Sequence, residues 1–221
     1  MRILKPRIKP PILQVALDII RLDIAIEIAK HAVVGGADWL ECGTPLIKSV
    51  GMKAVRELKG LFPNIPIVAD MKTMDTGELE ARIAFSAGSD IISVLGVADD
   101  LTIKGAINVA REYDKLVVVD LINHPKPIKR AVEAESMGTD IILVHVGIDQ
   151  QLRGASPLEY LKEIVRSVEC YVAVAGGLNP QTARKAIEAG ADIVVVGRYI
   201  TGSQNITERT QEIKRAIRFR E

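Results

Sequence analysis

The sequence predicts a closed (β/α)8 barrel, a TIM barrel, and three observations predict it. Short apolar, β-branched runs recur along the chain, amphipathic stretches of helical period separate them, and the points where the runs stop (18, 41, 70, 95, 120, 145, 175 and 196) are 21 to 30 residues apart in a chain of 221. Alternating βα units imply a parallel sheet, and eight of them in roughly 200–250 residues close into a barrel. An open doubly wound sheet would carry a Gly-x-Gly-x-x-Gly turn after an early strand. The first run instead closes on Ala16-Leu17-Asp18-Ile19, and there is no Walker loop.

In order, the runs are Ile12 to Leu17, Trp39-Leu40, Ile65 to Ala69, Ile91 to Leu95, Leu116 to Val119, Ile141 to Val144, Tyr171 to Ala175 and Ile193 to Val196. Each reads as a strand buried on both faces. Between them, Leu22-Ile26-Ala29-Val33 and Leu101-Ala106-Val109-Ala110 mark the core-facing stripes of helices. Four helices end on one phrase: Gly35-Gly36-Ala37-Asp38, Gly88-Ser89-Asp90, Gly138-Thr139-Asp140 and Gly190-Ala191-Asp192. Glycine takes the left-handed helix-stop conformation at little cost, so the phrase reads as a stop followed by the start of a strand. Eight strands and eight helices in strict alternation are therefore expected over 12–221, as one domain. The basic, Pro-rich residues 1–11 precede them and read either as a lead-in arm or as a remnant of a fusion joint.

Composition excludes several classes. Lys+Arg 29 against Asp+Glu 28 leaves a net charge of +1, without the basic excess of a nucleic-acid binder. The clusters Arg2-Lys5-Arg7-Lys9 and Lys214-Arg215-Arg218-Arg220 are the features that would suggest nucleic acid, but the second ends the last helix, where cations suit the dipole, and reads as solvated. The longest stretch without a charge is fourteen residues, Cys170 to Ala183, whereas a membrane span needs roughly 20. No apolar signal core follows Met1, so a cytoplasmic protein is expected. Cys42 and Cys170 alone supply neither a disulfide framework nor a Cys-based zinc site.

Barrel active sites lie at the carboxyl ends of the strands. Five of these ends carry an ionisable group: Asp18, Glu41, Asp70, Asp120 and His145. Strand alternation points Asp70 and Lys72 the same way within Asp70-Met71-Lys72-Thr73-Met74-Asp75. A lysine among carboxylates stays protonated, which suits a fixed cation beside a developing oxyanion and not an imine-forming amine. Glu41 and Asp70, on neighbouring strands, suit either Mg²⁺ or hydrogen bonds to substrate hydroxyls. His145 is the general acid/base candidate, with a buried structural histidine as the alternative. Gly176-Gly177 and Gly197-Arg198 follow the seventh and eighth strands, where barrels commonly bind phosphate; glycines admit an anion to backbone N–H groups and Arg198 adds a charged fork. Ile200-Thr201-Gly202-Ser203 is expected to start a short helix beside them.

Ala16-Leu17-Asp18, Glu41-Cys42-Gly43-Thr44-Pro45, Ala69 to Asp75 and Leu95-Gly96-Val97-Ala98-Asp99-Asp100 resemble the orotidine monophosphate decarboxylase suprafamily, from about Pro11 to the final helix. Within it they are most similar to the 3-hexulose-6-phosphate synthase branch. The resemblance implies a barrel of the ribulose-phosphate-binding type and a Mg²⁺-dependent aldolase that joins formaldehyde to the sugar phosphate D-ribulose 5-phosphate, or runs the reverse, through a cis-enediolate. It implies Mg²⁺ on Glu41 and Asp70, substrate contacts from Asp18 and Lys72, and a homodimer in which Asp75 reaches the neighbouring subunit's site. The related 3-keto-L-gulonate-6-phosphate decarboxylases place an Arg soon after the strand-six His. Here His145-Val146-Gly147-Ile148-Asp149-Gln150-Gln151 has none before Arg153, as in the synthases, although Gly197-Arg198 resembles the decarboxylase form. The basic start resembles the junction of archaeal proteins in which a formaldehyde-activating domain precedes the barrel. A barrel that binds a sugar phosphate without catalysis would have lost the charges at its mouth, and Asp18, Glu41, Asp70, Lys72 and His145 are all kept.

Overall fold

The computed structural model describes residues 8–218. Arg2, Lys5 and Arg7 of the expected arm, and Arg220 of the C-terminal cluster, lie outside them. Eight parallel strands, β1 (Ile12–Leu17), β2 (Trp39–Cys42), β3 (Ile67–Thr73), β4 (Ile91–Leu95), β5 (Leu116–Asp120), β6 (Ile141–His145), β7 (Tyr171–Ala175) and β8 (Ile193–Val196), close in sequence order into a barrel. Alternate residues face inward: Ile12, Ala16, Trp39, Val68, Ile91, Val118, Ile141, Leu143, Ala173, Ala175, Ile193 and Val195 pack together inside the barrel. Their neighbours, such as Leu13, Val15, Leu40, Ile67 and Val194, pack against the helices instead. Both strand faces are thus buried, which is why the runs read as continuously apolar.

The helices are α1 (Leu22–Val34), α2 (Thr44–Val50), α3 (Lys53–Leu61), α4 (Gly77–Ser86), α5 (Asp100–Glu112), α6 (Pro127–Met137), α7 (Ile148–Gln151), α8 (Leu158–Ser167), α9 (Pro180–Glu188), α10 (Arg198–Thr201) and α11 (Ile206–Ile217). Strict one-to-one alternation is therefore corrected: the crossovers after β2, β6 and β8 each hold two helices. The breaks fall at Gly51 (φ 69°), at Gly154 (φ 88°) with Pro157 beyond it, and over Gly202 to Asn205. In the expected stripe of α5, Leu101 is 78% exposed, while Ala106, Val109 and Ala110 are buried. Lys214 does not belong to a solvated cluster either. It is 7% exposed and its ammonium pairs with Asp38.

The repeated glycine phrase fastens the foot of the barrel. Gly36, Gly88, Gly138 and Gly190 have φ of 97°, 101°, 98° and 102°, the left-handed conformation that lets a helix stop and the chain turn into the next strand. The Asp that follows accepts a hydrogen bond from the preceding strand each time. Leu13 N donates to Asp38 Oδ2 at 2.7 Å, and Ile67 N, Val117 N and Val172 N donate to Asp90, Asp140 and Asp192 Oδ2 at 2.9 Å. In the same place, the backbone N–H of each Asp donates to the carbonyl of the same partner residue. Every even strand is thereby pinned to the odd strand before it.

Candidate active site

The opposite end of the barrel holds a cavity of about 1150 Å³, lined by Asp18, Glu41, Asp70, Lys72, His145, Gly176, Gly177, Gly197 and Arg198 among others. Of the ionisable residues singled out from sequence, Asp75 and Asp120 are not in its lining: Asp75 is exposed on the loop before α4 and accepts from Thr76 N at 2.7 Å, and Asp120 is fully buried behind Lys72 and His145. The polar members stand on the inward face of their strands, one or two steps above the apolar interior.

Lys72 organises the centre. Its Nζ lies 2.9 and 3.1 Å from the two Asp70 carboxylate oxygens and 3.2 Å from Asp120 Oδ2. The carboxylate flanking it on the second side is therefore Asp120, from β5, and not the nearby Asp75. Simple alternation does not account for this convergence. Lys72 has φ 46°, and the pairing of β3 with β4 shifts register between Ala69 and Thr73, so a bulge turns the ammonium back over Asp70. Ser93 of β4 fixes the bulge, accepting from Lys72 N at 2.9 Å and donating to Asp70 Oδ1 at 2.7 Å. Thr44, at the start of α2, donates to Asp70 Oδ2 at 2.7 Å. Burial works against the Lys72 ammonium, but Asp70 and Asp120 outweigh it and hold its pKa above the ordinary lysine value. An amine so held is a permanent cation.

Asp120 is the hinge between this cation and His145. Its Oδ2 lies 2.8 Å from His145 Nδ1, and its Oδ1 accepts from Ile122 N at 2.9 Å. Complete burial would raise the carboxyl's pKa, yet the His145 and Lys72 partners and the Ile122 N–H hold it below the usual range. An ionised carboxylate only accepts, so His145 donates Nδ1–H in this bond, and Nε2 is the ring nitrogen that can take up or release a proton.

The acids on the other side are unbalanced. Burial pushes the Glu41 carboxyl well above the usual carboxylate range, and the charges of Asp70 and Asp18 push it further. Asp18 is raised by its surroundings first and then by Asp70, against the pull of Lys72 and His145. Glu41 accepts a hydrogen bond from Gln14 Nε2 at one oxygen, with none at the other among the described residues. Three carboxylates against one ammonium make an all-oxygen, charge-excess donor set that fits a hard divalent cation. Among the described residues no three Asp, Glu, His or Cys side chains form a ready ligand cluster. Glu41 and Asp70 are the residues that could hold such an ion, with its remaining positions left to water or substrate.

Glycines shape the walls. A Cβ on Gly43 would overlap Asp18 Oδ1, and one on Gly176 (φ 122°) would stand 2.5 Å from the carbonyl of Val146. Reading the sequence left Asp120 without a role and passed over Gln14, Thr44, Ser93 and Gln151, whose Nε2 donates to Val146 O at 2.8 Å on the cavity wall. Gln14 and Ser93 did leave a signal, being polar residues at inward positions of otherwise apolar strands. Cys42, beside Glu41 but facing the helices, is pushed up to about 12 by burial and by that neighbour, and is inert.

Comparison with known proteins gives the family of the chain. Residues 11–213 match the model of the orotidine 5'-phosphate decarboxylase / HUMPS family. The chain is 40% identical to 3-hexulose-6-phosphate synthase of Bacillus subtilis (strain 168) over 206 residues, covering 93% of this chain and 98% of that protein. It superposes on the crystal structure of a 3-hexulose-6-phosphate synthase with a TM-score of 0.89 at 39% identity, covering 93% of this chain and 99% of the other. With the crystal structure of KGPDC from Streptococcus mutans the TM-score is 0.84 at 27% identity, over 95% and 98% of the two chains. The chain belongs to the orotidine 5'-phosphate decarboxylase / HUMPS family and within it stands with the 3-hexulose-6-phosphate synthases.

Proposed function

We propose that this protein is a Mg²⁺-dependent aldolase that joins formaldehyde to D-ribulose 5-phosphate, giving D-arabino-hex-3-ulose 6-phosphate, and catalyses the reverse. The observation that carries this reading is the Asp70–Lys72–Asp120–His145 chain of contacts, which sets a permanent cation and an oriented imidazole base at one cavity. The similarity to the synthases supports it.

Gly176, Gly177, Gly197 and Arg198 take the phosphate, and Asp18 takes a sugar hydroxyl. Glu41 and Asp70 hold Mg²⁺, which when bound supplies Lewis-acid stabilisation of negative charge on the sugar's oxygens. His145 Nε2 removes a C1 proton, and Asp120 stabilises the imidazolium through Nδ1–H. Lys72 stands beside the enediolate oxygen, where its charge favours the transition state over the ketone. C1 then attacks the formaldehyde carbon, and the proton on His145 passes to the new alkoxide. Lys72 stays an ammonium throughout.

The turn after His145 favours the aldolase over decarboxylation of 3-keto-L-gulonate 6-phosphate. Ile148 and Gln151 line the cavity there, while Arg153 lies exposed outside its lining. The Asp75 loop supports a homodimer with shared sites: Met74 and Leu79 beside it, and Leu101 on the adjoining helix, are 54%, 59% and 78% exposed. α4 and α5 meet so closely that a Cβ on Gly77 would overlap Thr102 O. The deciding experiment follows formaldehyde consumption with ribulose 5-phosphate and Mg²⁺, with ketogulonate 6-phosphate supplied in parallel. Formaldehyde loss in the first arm and no CO₂ in the second is the expected result. CO₂ release without formaldehyde loss would assign the decarboxylase instead.

A further inference from the structure

Helix α10 is a single turn, closed by hydrogen bonds such as Ile200 N and Thr201 N to Gly197 O at 2.9 and 3.0 Å. A turn that short does not hold its own shape. Ile200, fully buried, anchors one side of it. On the other side Tyr199 lines the cavity, and its hydroxyl donates to Glu212 Oε2 at 2.6 Å and accepts from Arg209 Nη1 at 3.2 Å. Arg209 also bonds Glu212 at 2.8 Å, and its guanidinium carbon lies 5.4 Å from the centre of the Tyr199 ring. Among the described residues these are the only side-chain hydrogen bonds that tie α10 to α11. Arg198, between Gly197 and Tyr199, makes no side-chain hydrogen bond or ion pair to a described residue, so its guanidinium is available to a ligand.

We propose that Tyr199, clamped by Arg209 and Glu212, is a positioning residue that fixes the Gly197–Arg198 segment for the phosphate of the substrate. This rests on the phosphate assignment made above. The clamp acts on the non-reacting end of the substrate, so its loss weakens binding of ground state and transition state alike.

The test compares wild type with Tyr199→Phe, which deletes the hydroxyl and keeps the ring. KM for ribulose 5-phosphate and the calorimetric Kd for inorganic phosphate should rise together, by about three- to tenfold. Over the same comparison kcat should stay within about twofold and KM for formaldehyde should not change. Glu212→Gln keeps an acceptor for the hydroxyl and should stay near wild type, whereas Glu212→Leu should match Tyr199→Phe. Unchanged KM and Kd in Tyr199→Phe, or a loss confined to kcat or to Tm, would overturn the clamp alone. Failure of wild type to bind either phosphate compound would overturn the phosphate assignment and the clamp with it.

Discussion

Lys72 is cationic because two carboxylates hold it, and that state separates electrostatic from imine chemistry. Borohydride added with ribulose 5-phosphate should leave the protein mass unchanged, and an adduct at Lys72 would contradict the assignment. Asp120→Asn replaces an obligate acceptor with an amide able to donate to Nδ1, which would move the lone pair away from Nε2. It should lower kcat about 10³-fold while leaving the fold intact by circular dichroism. Glu41 gives the pH dependence. Its folded-state pKa lies well above the ordinary value of 4.5, so within that interval the folded chain binds more protons than the unfolded one, and stability falls as pH rises through it. A bound divalent cation stabilises the ionised carboxylate against both its burial and the neighbouring charges. Melting curves should therefore show Mg²⁺ raising Tm at pH 8 more than at pH 5. Glu41→Gln should melt higher than wild type in chelator at pH 8 and lose the Mg²⁺ response; an undiminished response would exclude Glu41 as a ligand.

At the level of elements, the four Asp pins at the barrel foot carry stability without touching the mouth. Asp90 accepts from Ile67 N and pairs with Lys59 and Lys115 at 2.8 and 2.6 Å. Asp90→Ala leaves all three without this partner and should cost about 2–3 kcal/mol in urea unfolding, with KM unchanged in the folded enzyme. The phrase that ends in this Asp was legible as a helix stop because glycine's conformational freedom is a local property. Its role as a pin was not, because the partner N–H belongs to another strand twenty or more residues away. The same distinction explains the site. Strand ends at Asp120, His145, Ala175 and Val196 were readable from where apolar runs stop. The β3 bulge was not, since Ser93 on β4 imposes the left-handed turn at Lys72. Asp120 was visible as a charge at the mouth, but its bonds to Lys72 and His145 depend on barrel closure. The split crossovers after β2 and β6 escaped notice because a one-turn helix such as α7 is too short to show a hydrophobic period; after β8 a short helix was expected to start at Ile200, and α10 instead starts at Arg198 and ends at Thr201.

The molecule as a whole separates its tasks: a pinned foot, an apolar interior and a charged mouth with an apolar rim at Met74, Leu79 and Leu101. If that rim joins two copies and Asp75 completes the neighbour's site, inactive Lys72→Ala and Asp75→Ala subunits mixed as heterodimers should regain activity by rebuilding one intact site. Verified heterodimers without activity would exclude shared sites. In the proposed mechanism this mouth removes the C1 proton of ribulose 5-phosphate and holds the resulting charge with Lys72 and a divalent ion. The direct measurement is NMR of ribulose 5-phosphate incubated with enzyme and Mg²⁺ in D₂O without formaldehyde. One C1 proton should exchange stereospecifically, and exchange should stop with chelator, with His145→Ala or with Lys72→Ala. Formaldehyde consumption without C1 exchange, or exchange indifferent to chelator and to both substitutions, would contradict the account.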